Sequence, residues 1–455
     1  SNLLLAIVRN SSNSAAVLYA LTSEFIVLTS CKFTDNSVSH SSLMLFIDSS
    51  ATIEDCQFDS NKGSASIDLL LSNLEISLSV FKNQASSGGV FISMNTSSYA
   101  SVKSSQFKSG RSQSQGGAIL ASTGKLSISD CSFEDTYSAD SGGAIFAANN
   151  VLEVRRTLFK NCISGSLYGG CISATTCDLE ISDSEFTQTV GALVSYASAL
   201  KVHNSTFTSN SGTSGGSIFC ITCTSVTIDS SSFLFNTAAL GGAINLEGSN
   251  TEQLLKGLIL NCNFVGNIAT SLGGAVDAVG ISLDIVSCNF VDNSALQEDG
   301  GAVYLRCPTK DCKFALKDCS FLNNTALLEG GAISWKHSEP SFEGMHFQDN
   351  KAAYGEDIAS FPTHYTIESK VSAKDQSYLK EVVSGNLIES AFRGSLIDHY
   401  GHPVATEDDC SVELYALEPS KVSILGNSRA RVSRGRFEIE QITITTDPNS
   451  TVHLG

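Results

Sequence analysis

The feature that most constrains this chain is a phenylalanine that recurs about every 26 residues. The recurring positions are Phe33, Phe58, Phe81, Phe107, Phe133, Phe159, Phe186, Phe207, Phe233, Phe264, Phe290, Phe321 and Phe347. A fixed period of this size is typical of solenoids and related repeat architectures. Helical solenoids have longer repeats, and leucine-rich repeats carry a Leu and Asn signature that is absent here.

One repeat, from Leu126 onward, shows how the unit is built. Leu126 and Ile128 alternate with polar residues, and Cys131 and Phe133 do so again after a polar break. Alternation with a period of two predicts a strand. A glycine pair then precedes a third short apolar run. Three short strands per repeat predict one turn of a triangular coil, with neighbouring coils about 4.8 Å apart.

Two more positions recur in phase with the phenylalanines. An Asn three residues after Phe tolerates left-handed backbone and can bond its counterpart in the next coil. These asparagines are Asn36, Asn61, Asn210, Asn236, Asn267, Asn293, Asn324 and Asn350. A glycine pair before the third strand supplies positive φ or close approach. The pairs are Gly88-Gly89, Gly116-Gly117, Gly142-Gly143, Gly169-Gly170, Gly215-Gly216, Gly241-Gly242, Gly273-Gly274, Gly300-Gly301 and Gly330-Gly331. The sequence therefore predicts an all-β fold, a right-handed parallel β-helix of about 13 coils.

The Gly-Gly-Ala-Ile and Phe-x-x-Asn motifs, alternating in fixed phase, resemble the repeat of chlamydial polymorphic outer membrane proteins. That repeat is also abundant in large surface proteins of some protists. The resemblance covers roughly residues 20–360. It implies a β-helical, extracellular protein associated with adhesion.

The repeat frame degenerates after Phe347. In Tyr354-Gly355-Glu356-Asp357-Ile358 the second glycine and the alanine are lost, which predicts the covered end of the stack. Beyond it, Phe392–Val404 resembles the opening strand and turn of immunoglobulin-like modules. The predicted division is a parallel β-helix over residues 1–360, a connector over residues 361–385 and a small or truncated immunoglobulin-like β-sandwich over residues 386–455.

Composition narrows the class of protein. The chain is 42% hydrophobic and only 16% charged, which excludes a disordered chain. Its net charge of −18 disfavours nucleic acid and anionic lipid as partners. No apolar stretch approaches the roughly 20 residues of a membrane helix. The opening run Leu3–Val8 is too short for a signal peptide, so we expect a segment of a longer protein whose anchor lies elsewhere.

The 14 cysteines fall into groups. Six lie two residues before one of the recurring phenylalanines, at a position that other coils fill with Ser, Thr or Met. We interpret these six as packing residues that point inward, rather than as metal ligands or as partners in disulfides between coils. They are Cys31, Cys56, Cys131, Cys262, Cys288 and Cys319. Disulfides within a coil are predicted for Cys171 with Cys177, Cys220 with Cys223, and Cys307 with Cys312, which implies an oxidising compartment. Cys220-x-x-Cys223 also fits a redox motif or half of a zinc site, but no second Cys-x-x-Cys accompanies it. Cys162 and Cys410 have no obvious partner.

Five Asn-x-Ser/Thr sequons are candidate glycosylation sites, and these are Asn10, Asn95, Asn204, Asn323 and Asn449. No catalytic residue or cofactor is predicted. Glycosidases need paired carboxylates across a groove, whereas acidic residues in these coils are mostly single and scattered. Four aspartates lie near the turns between strands in successive coils. They leave a structural calcium site as the alternative to no cofactor, although no EF-hand loop accompanies them. They are Asp292, Asp299, Asp311 and Asp318.

The sequence therefore predicts an extracellular structural or adhesive rod within a large cell-surface or filament-forming protein, and not an enzyme. Its expected partners are other extracellular proteins, copies of itself or glycans. The alternative is a carbohydrate-binding or polysaccharide-degrading β-helix of the pectin-lyase kind. Such an enzyme should break its repeat with long loops that wall a groove, and here the loops are extended only near residues 247–257 and 306–314.

Overall fold

A computed structural model of the chain describes residues 7–9, 12–13, 18–23, 25–38, 41–86, 90–166, 169–248, 256–308, 311–368, 383–408, 410–447 and 452. Within these ranges the regular elements are all β-strands. Three long parallel sheets run through the repeat region, and we call them the Phe sheet, the Gly-Gly sheet and the Leu-Ile sheet, with 14, 14 and 13 strands. The predicted all-β parallel β-helix is confirmed.

The strands of each long sheet follow one another coil by coil. The Phe sheet consists of Ile7–Arg9, Lys32–Thr34, Gln57–Asp59, Val80–Lys82, Gln106–Lys108, Ser132–Glu134, Leu158–Lys160, Glu185–Thr187, Thr206–Thr208, Ser232–Leu234, Asn263–Val265, Asn289–Val291, Ser320–Leu322 and His346–Gln348. The Gly-Gly sheet consists of Leu18–Leu21, Met44–Ile47, Ala65–Leu70, Val90–Asn95, Ile119–Ala121, Ile145–Ala148, Ile172–Thr175, Leu193–Tyr196, Ile218–Ile221, Ile244–Glu247, Val276–Val279, Val303–Arg306, Ile333–Lys336 and Ile358–Ser360. The Leu-Ile sheet consists of Ile26–Thr29, Ser50–Glu54, Asn73–Ser77, Ser98–Lys103, Gly124–Ser129, Asn150–Arg155, Asp178–Ser182, Ala199–His203, Ser225–Asp229, Lys256–Leu260, Ser282–Val286, Phe314–Lys317 and Ser341–Glu343.

Shorter strands add a partial fourth side between the Phe sheet and the Gly-Gly sheet. The first side sheet consists of Ala85–Ser86, Arg111–Ser112, Tyr137–Ser138 and Ile163–Ser164. The second side sheet consists of Thr237–Leu240, Ile268–Leu272, Ser294–Ala295 and Thr325–Ala326. Ser12–Asn13 also pairs with Ser37–Val38. The C-terminal sheets consist of His364–Glu368, Leu387–Ile397, Arg436–Thr445 and Ser423–Gly426, and of Ser411–Glu413 with Arg429–Arg431.

Like residues stack from coil to coil because every coil pairs in register with the next. Phe133 pairs with Phe159, for example, and Leu126 with Leu152. Ring centroids of successive ladder phenylalanines lie 4.6–5.0 Å apart as far as Phe321. The backbone hydrogen bonds of the long sheets therefore run from coil to coil, and the core is a column of repeated side chains.

The predicted bonds between ladder asparagines are present. The Oδ1 atom of Asn267 accepts hydrogen bonds from both the backbone N and the Nδ2 of Asn236, each at 3.0 Å. The left-handed residue, however, is not the asparagine itself. In the next coil it is Asp292, with φ 55°, and not Asn293. The residue before the asparagine, which faces solvent, adopts the left-handed conformation. The asparagine side chain therefore points inward and can bond to the asparagine of the next coil.

In seven of the eight described pairs the two glycines have different roles, and the exception is Gly169-Gly170, where Gly169 does not have a positive φ. Gly273 has φ 62°, where a side chain is disfavoured. Gly274 lies so close to the next coil that a Cβ atom would be 2.0 Å from the carbonyl oxygen of Gly301. Both predicted roles of glycine are therefore present, divided between neighbours. The pair Gly88-Gly89 lies outside the described residues.

A small β domain packs directly on the last coil. Tyr354 and Ala359 of that coil share a core with residues of the C-terminal sheets, among them Phe437 and Ile442. His364–Glu368, which the sequence assigned to a connector, is an edge strand of this domain and pairs antiparallel with Leu387–Ile397. Its Ile367 packs against that core. The immunoglobulin-like topology stays a prediction.

Aromatic side chains fix this junction. Trp335 Nε1 donates a hydrogen bond of 2.8 Å to Tyr400 Oη. The Trp335 ring also meets Phe361 and His399 edge to face. Two elements from opposite sides of the junction are thus held by one indole ring.

Candidate functional site

The regular surface of the coils is interrupted where one coil is short. Ladder residues Phe186 and Phe207 are only 21 residues apart in sequence, because Thr189 is followed by a single residue before Gly191. That coil has no strand in either side sheet. The first side sheet ends before it and the second begins after it, which leaves a gap between the two.

A cleft of about 250 Å³ occupies this gap. Its floor includes Val194 and Phe219, which pair in register on the outer face of the Gly-Gly sheet and are 7% and 2% exposed. The hydroxyl residues of its walls are Ser164, Ser166, Ser211, Thr213 and Ser214, with glycines between them. None of the described residues that line it is charged. The cleft is therefore uncharged, with an apolar floor and a polar rim.

A buried ion cluster joins three successive coils farther along. Lys336 Nζ lies 3.0 Å from Asp299 Oδ2 and 3.1 Å from Glu329 Oε1. Tyr354 Oη and Ser334 Oγ donate hydrogen bonds to Glu329. Burial, with the neighbouring charge of Asp299, raises the pKa of Glu329 to about 8. The cluster's polar groups are partnered by one another, so it pins the coils and offers no free base.

Asp277 is a second buried carboxyl group. Asn245 Nδ2 donates to its Oδ2 atom at 3.1 Å, while the Oδ1 atoms of both residues have no donor among the described residues. Burial and the neighbouring charge of Glu247 raise the pKa of Asp277 to about 8, against the opposing effect of Arg306. Asp277 is therefore largely protonated at neutral pH. Sequence patterns did not single out Asp277 or Glu329, because their partners come from other coils.

The corner aspartates considered for calcium do not converge. Asp299 belongs to the Lys336 cluster, and Asp292 accepts a hydrogen bond from Asn323. In the described ranges, no three His, Cys, Asp or Glu side chains are grouped so that they could hold a metal ion. The basic pair Arg155 and Arg156 faces solvent and forms ion pairs with neighbouring coils.

The structure joins two of the three cysteine pairs considered from the sequence. Disulfides link Cys220 with Cys223 and Cys307 with Cys312. Cys171 and Cys177 are not joined. They flank the extended strand Ile172–Thr175, whose residues rise about 3.3 Å each, so the two Cα atoms are far beyond the roughly 7 Å that a disulfide can span. The six inward ladder cysteines are buried and are not joined by disulfides.

The sequons remain predicted glycosylation sites. Asn204 and Asn323 are exposed at coil corners, with φ 44° and 57°. Asn95 is half-buried. Asn10 and Asn449 lie outside the described residues, as do residues 249–255 and 309–310 of the two longer loops.

The stacked ladders and parallel sheets define a parallel β-helix, and its coils carry a polymorphic membrane protein-like repeat. A family model described as the Chlamydia polymorphic membrane protein repeat matches residues 318–334. This stretch holds one Phe-x-x-Asn motif and one Gly-Gly-Ala-Ile motif, so the resemblance expected from the sequence is confirmed.

A curated relative comes from Dictyostelium discoideum. Its metabotropic glutamate receptor-like protein R is 32% identical over 147 residues, which are 30% of this chain and 9% of that protein. The match thus spans about a tenth of the relative's length.

Solved structures similar to this chain include phage tailspikes. The Dettilon tailspike protein is 10% identical with a TM-score of 0.33, covering 94% of this chain and 84% of its own. A double mutant of the tailspike protein of E. coli bacteriophage HK620 is 7% identical with a TM-score of 0.34, covering 95% and 85%. The described part of this chain offers no helix long and apolar enough to span a membrane.

Proposed function

We propose that the chain is a rod-shaped module of an extracellular surface protein, acting by contact with other proteins, copies of itself or glycans rather than by catalysis. The observation that carries this proposal is the ladder architecture. Stacked Phe rings and hydrogen-bonded Asn side chains repeat through the coils. The buried ionisable groups near Lys336 form ion pairs and hydrogen bonds between coils. A solenoid built in this way presents length and stiffness to its surroundings.

The cysteines and the repeat support an extracellular location. Disulfides such as Cys220–Cys223 persist in oxidising compartments. The polymorphic membrane protein-like repeat resembles that of bacterial surface proteins. Sequons on exposed corners, as at Asn204, fit the same setting.

Glycan binding without turnover is the contact that the cleft favours. An uncharged site with an apolar floor and hydroxyl-bearing walls matches a neutral sugar unit, which has one apolar face and many hydroxyl groups. We expect the chain to retain oligosaccharides on a glycan array and to release no reducing ends from them. Release of reducing ends would contradict the proposal in favour of a polysaccharide-degrading enzyme.

A pair of variants tests the cleft itself. Ser211→Arg places a long charged side chain in the wall and should abolish glycan retention. Ser294→Arg lies at the equivalent position of a later coil and should leave retention unchanged, because both residues belong to the same register column of the side sheets. Equal retention by both variants would place binding elsewhere on the rod.

A further inference from the structure

Two buried thiols lie together beside the cleft. Cys162 and Cys171 are both completely buried. Burial raises the pKa of the Cys171 thiol, and the neighbouring Cys162 thiol raises it further. Cys162 fills the slot three residues after Phe159, which asparagine takes in other coils, and so points into the coil. Cys171 is the residue before strand Ile172–Thr175.

The loop between the two cysteines is already closed at its base. Ser164 Oγ donates a hydrogen bond to the carbonyl oxygen of Gly169, and these residues lie two positions inside Cys162 and Cys171. The segment that follows Cys162 therefore contacts the segment that precedes Cys171. The two disulfides of the structure also close short loops within one coil, with Cα–Cα distances of 5.9 and 5.7 Å.

We infer that Cys162 and Cys171 form a third disulfide within a coil. The bond forms by thiol–disulfide exchange with a small-molecule disulfide such as oxidised glutathione. The S–S bond of glutathione disulfide breaks, the Cys162–Cys171 bond forms, and two electrons and two protons leave in two molecules of reduced glutathione. Because both sulfurs are buried in the folded coil, exchange takes place before that coil closes.

This bond fixes one wall of the cleft. Ser164, Gly165, Ser166 and Gly169 all line the cleft and all lie between the two cysteines. A covalent closure at the base of this loop limits how far the wall can move. The bond then fixes the wall of the cleft that borders the gap between the two side sheets.

Peptide mapping of the whole chain tests the bond. The reduced, unfolded protein is refolded in a mixture of oxidised and reduced glutathione, then denatured in N-ethylmaleimide without reductant and digested with chymotrypsin, which cleaves after Tyr168. We expect a Cys162–Cys171 linked peptide that separates on reduction, and eight labelled cysteines out of the ten that take part in neither disulfide of the structure. N-ethylmaleimide on both Cys162 and Cys171, or a link from Cys171 to Cys177, would overturn the assignment.

Matched variants sharpen the test. Cys162→Ser should leave Cys171 labelled, whereas Cys177→Ser should leave the linked peptide intact. Should Cys162→Ser fail to refold, the map of the unaltered chain still decides. The inference rests on the proposed extracellular setting only for the supply of oxidant, which the refolding mixture provides. A missing bond would therefore leave the extracellular proposal standing, and a bond formed in vitro would not prove it.

Discussion

At the scale of single residues, each ladder side chain is packed largely against copies of itself. Phe264 is 0% exposed, with its ring 4.9 Å from that of Phe233 and 4.7 Å from that of Phe290. Phe235 lies two residues from the same ladder but is 59% exposed. Phe264, inside the stack of rings, and Phe235, outside it, can therefore be compared by the same Phe→Ala substitution.

Phe264→Ala should lower the free energy of unfolding by about 3–5 kcal/mol, because it removes a buried ring and leaves a cavity between two others. Phe235→Ala should cost less than about 1 kcal/mol. Urea denaturation followed by circular dichroism measures both. Similar losses in the two variants would show that the ring stack does not govern stability.

Asp277 makes stability depend on pH. Its pKa is about 8 in the folded chain and about 3.9 when unfolded, so between these values the native state holds the extra proton. Its contribution is complete below pH 4 and is lost as pH rises towards 8. We expect the free energy of unfolding to fall by roughly 2–4 kcal/mol between pH 5 and pH 8.

Asp277→Asn should remove the part of the fall that Asp277 contributes, since an amide needs no proton to remain neutral. The part that comes from Glu329, whose pKa is also raised to about 8, should remain. Asp284→Asn, on the outer face of the Leu-Ile sheet, is the control and should keep the whole fall. Urea midpoints at pH 5 and pH 8 make the comparison. A slope unchanged by Asp277→Asn would mean that the carboxyl group is ionised in the native state.

At the scale of elements, the glycine pair decides how closely coils approach. Gly274→Ala would place a methyl group 2.0 Å from the carbonyl oxygen of Gly301, so the two coils would have to separate. Gly280→Ala meets nothing closer than 3.8 Å and adds only the strain of positive φ.

Gly274→Ala should therefore destabilise the chain by at least about 3 kcal/mol, and Gly280→Ala by about 1–2 kcal/mol. Thermal unfolding followed by circular dichroism distinguishes them. The reverse order of stability would show that backbone conformation, and not coil spacing, limits the stack.

The Leu-Ile and Phe sheets could be predicted because their strands alternate polar and apolar residues at a fixed phase, as around Leu126 and Phe133. The Gly-Gly sheet could be predicted because a glycine pair recurs before its strands. The side sheets could not, since strands such as Tyr137–Ser138 are too short to alternate. The left-handed backbone conformation was predicted for Asn293 but is adopted by Asp292. The prediction was one residue late because the recurring asparagine is easier to recognise in the sequence than the variable residue before it. The cleft had a signal in the short interval after Phe186, but only the structure shows that the side sheets stop there.

At the scale of the whole molecule, Trp335 reports on how the two parts are joined. It is the chain's one tryptophan, is 3% exposed and bonds to Tyr400 of the small β domain. Tyr400→Ala should shift its fluorescence emission to longer wavelength, because water reaches the indole. Tyr415→Ala, an exposed tyrosine of the same domain, should not. An unshifted spectrum in Tyr400→Ala would show that Tyr400 does not shield the indole.

The direction of the backbone hydrogen bonds has a mechanical consequence. Because they join each coil only to the coils on either side, a pull between the two ends loads the outermost coil first. Coils then peel off singly, and about 26 residues drawn out to 3.4 Å each add about 90 Å of contour length per event. Such a rod yields under force one coil at a time, in steps that vary with coil length, and limits the tension passed along it. A tether of this kind lengthens under load while its remaining coils stay folded.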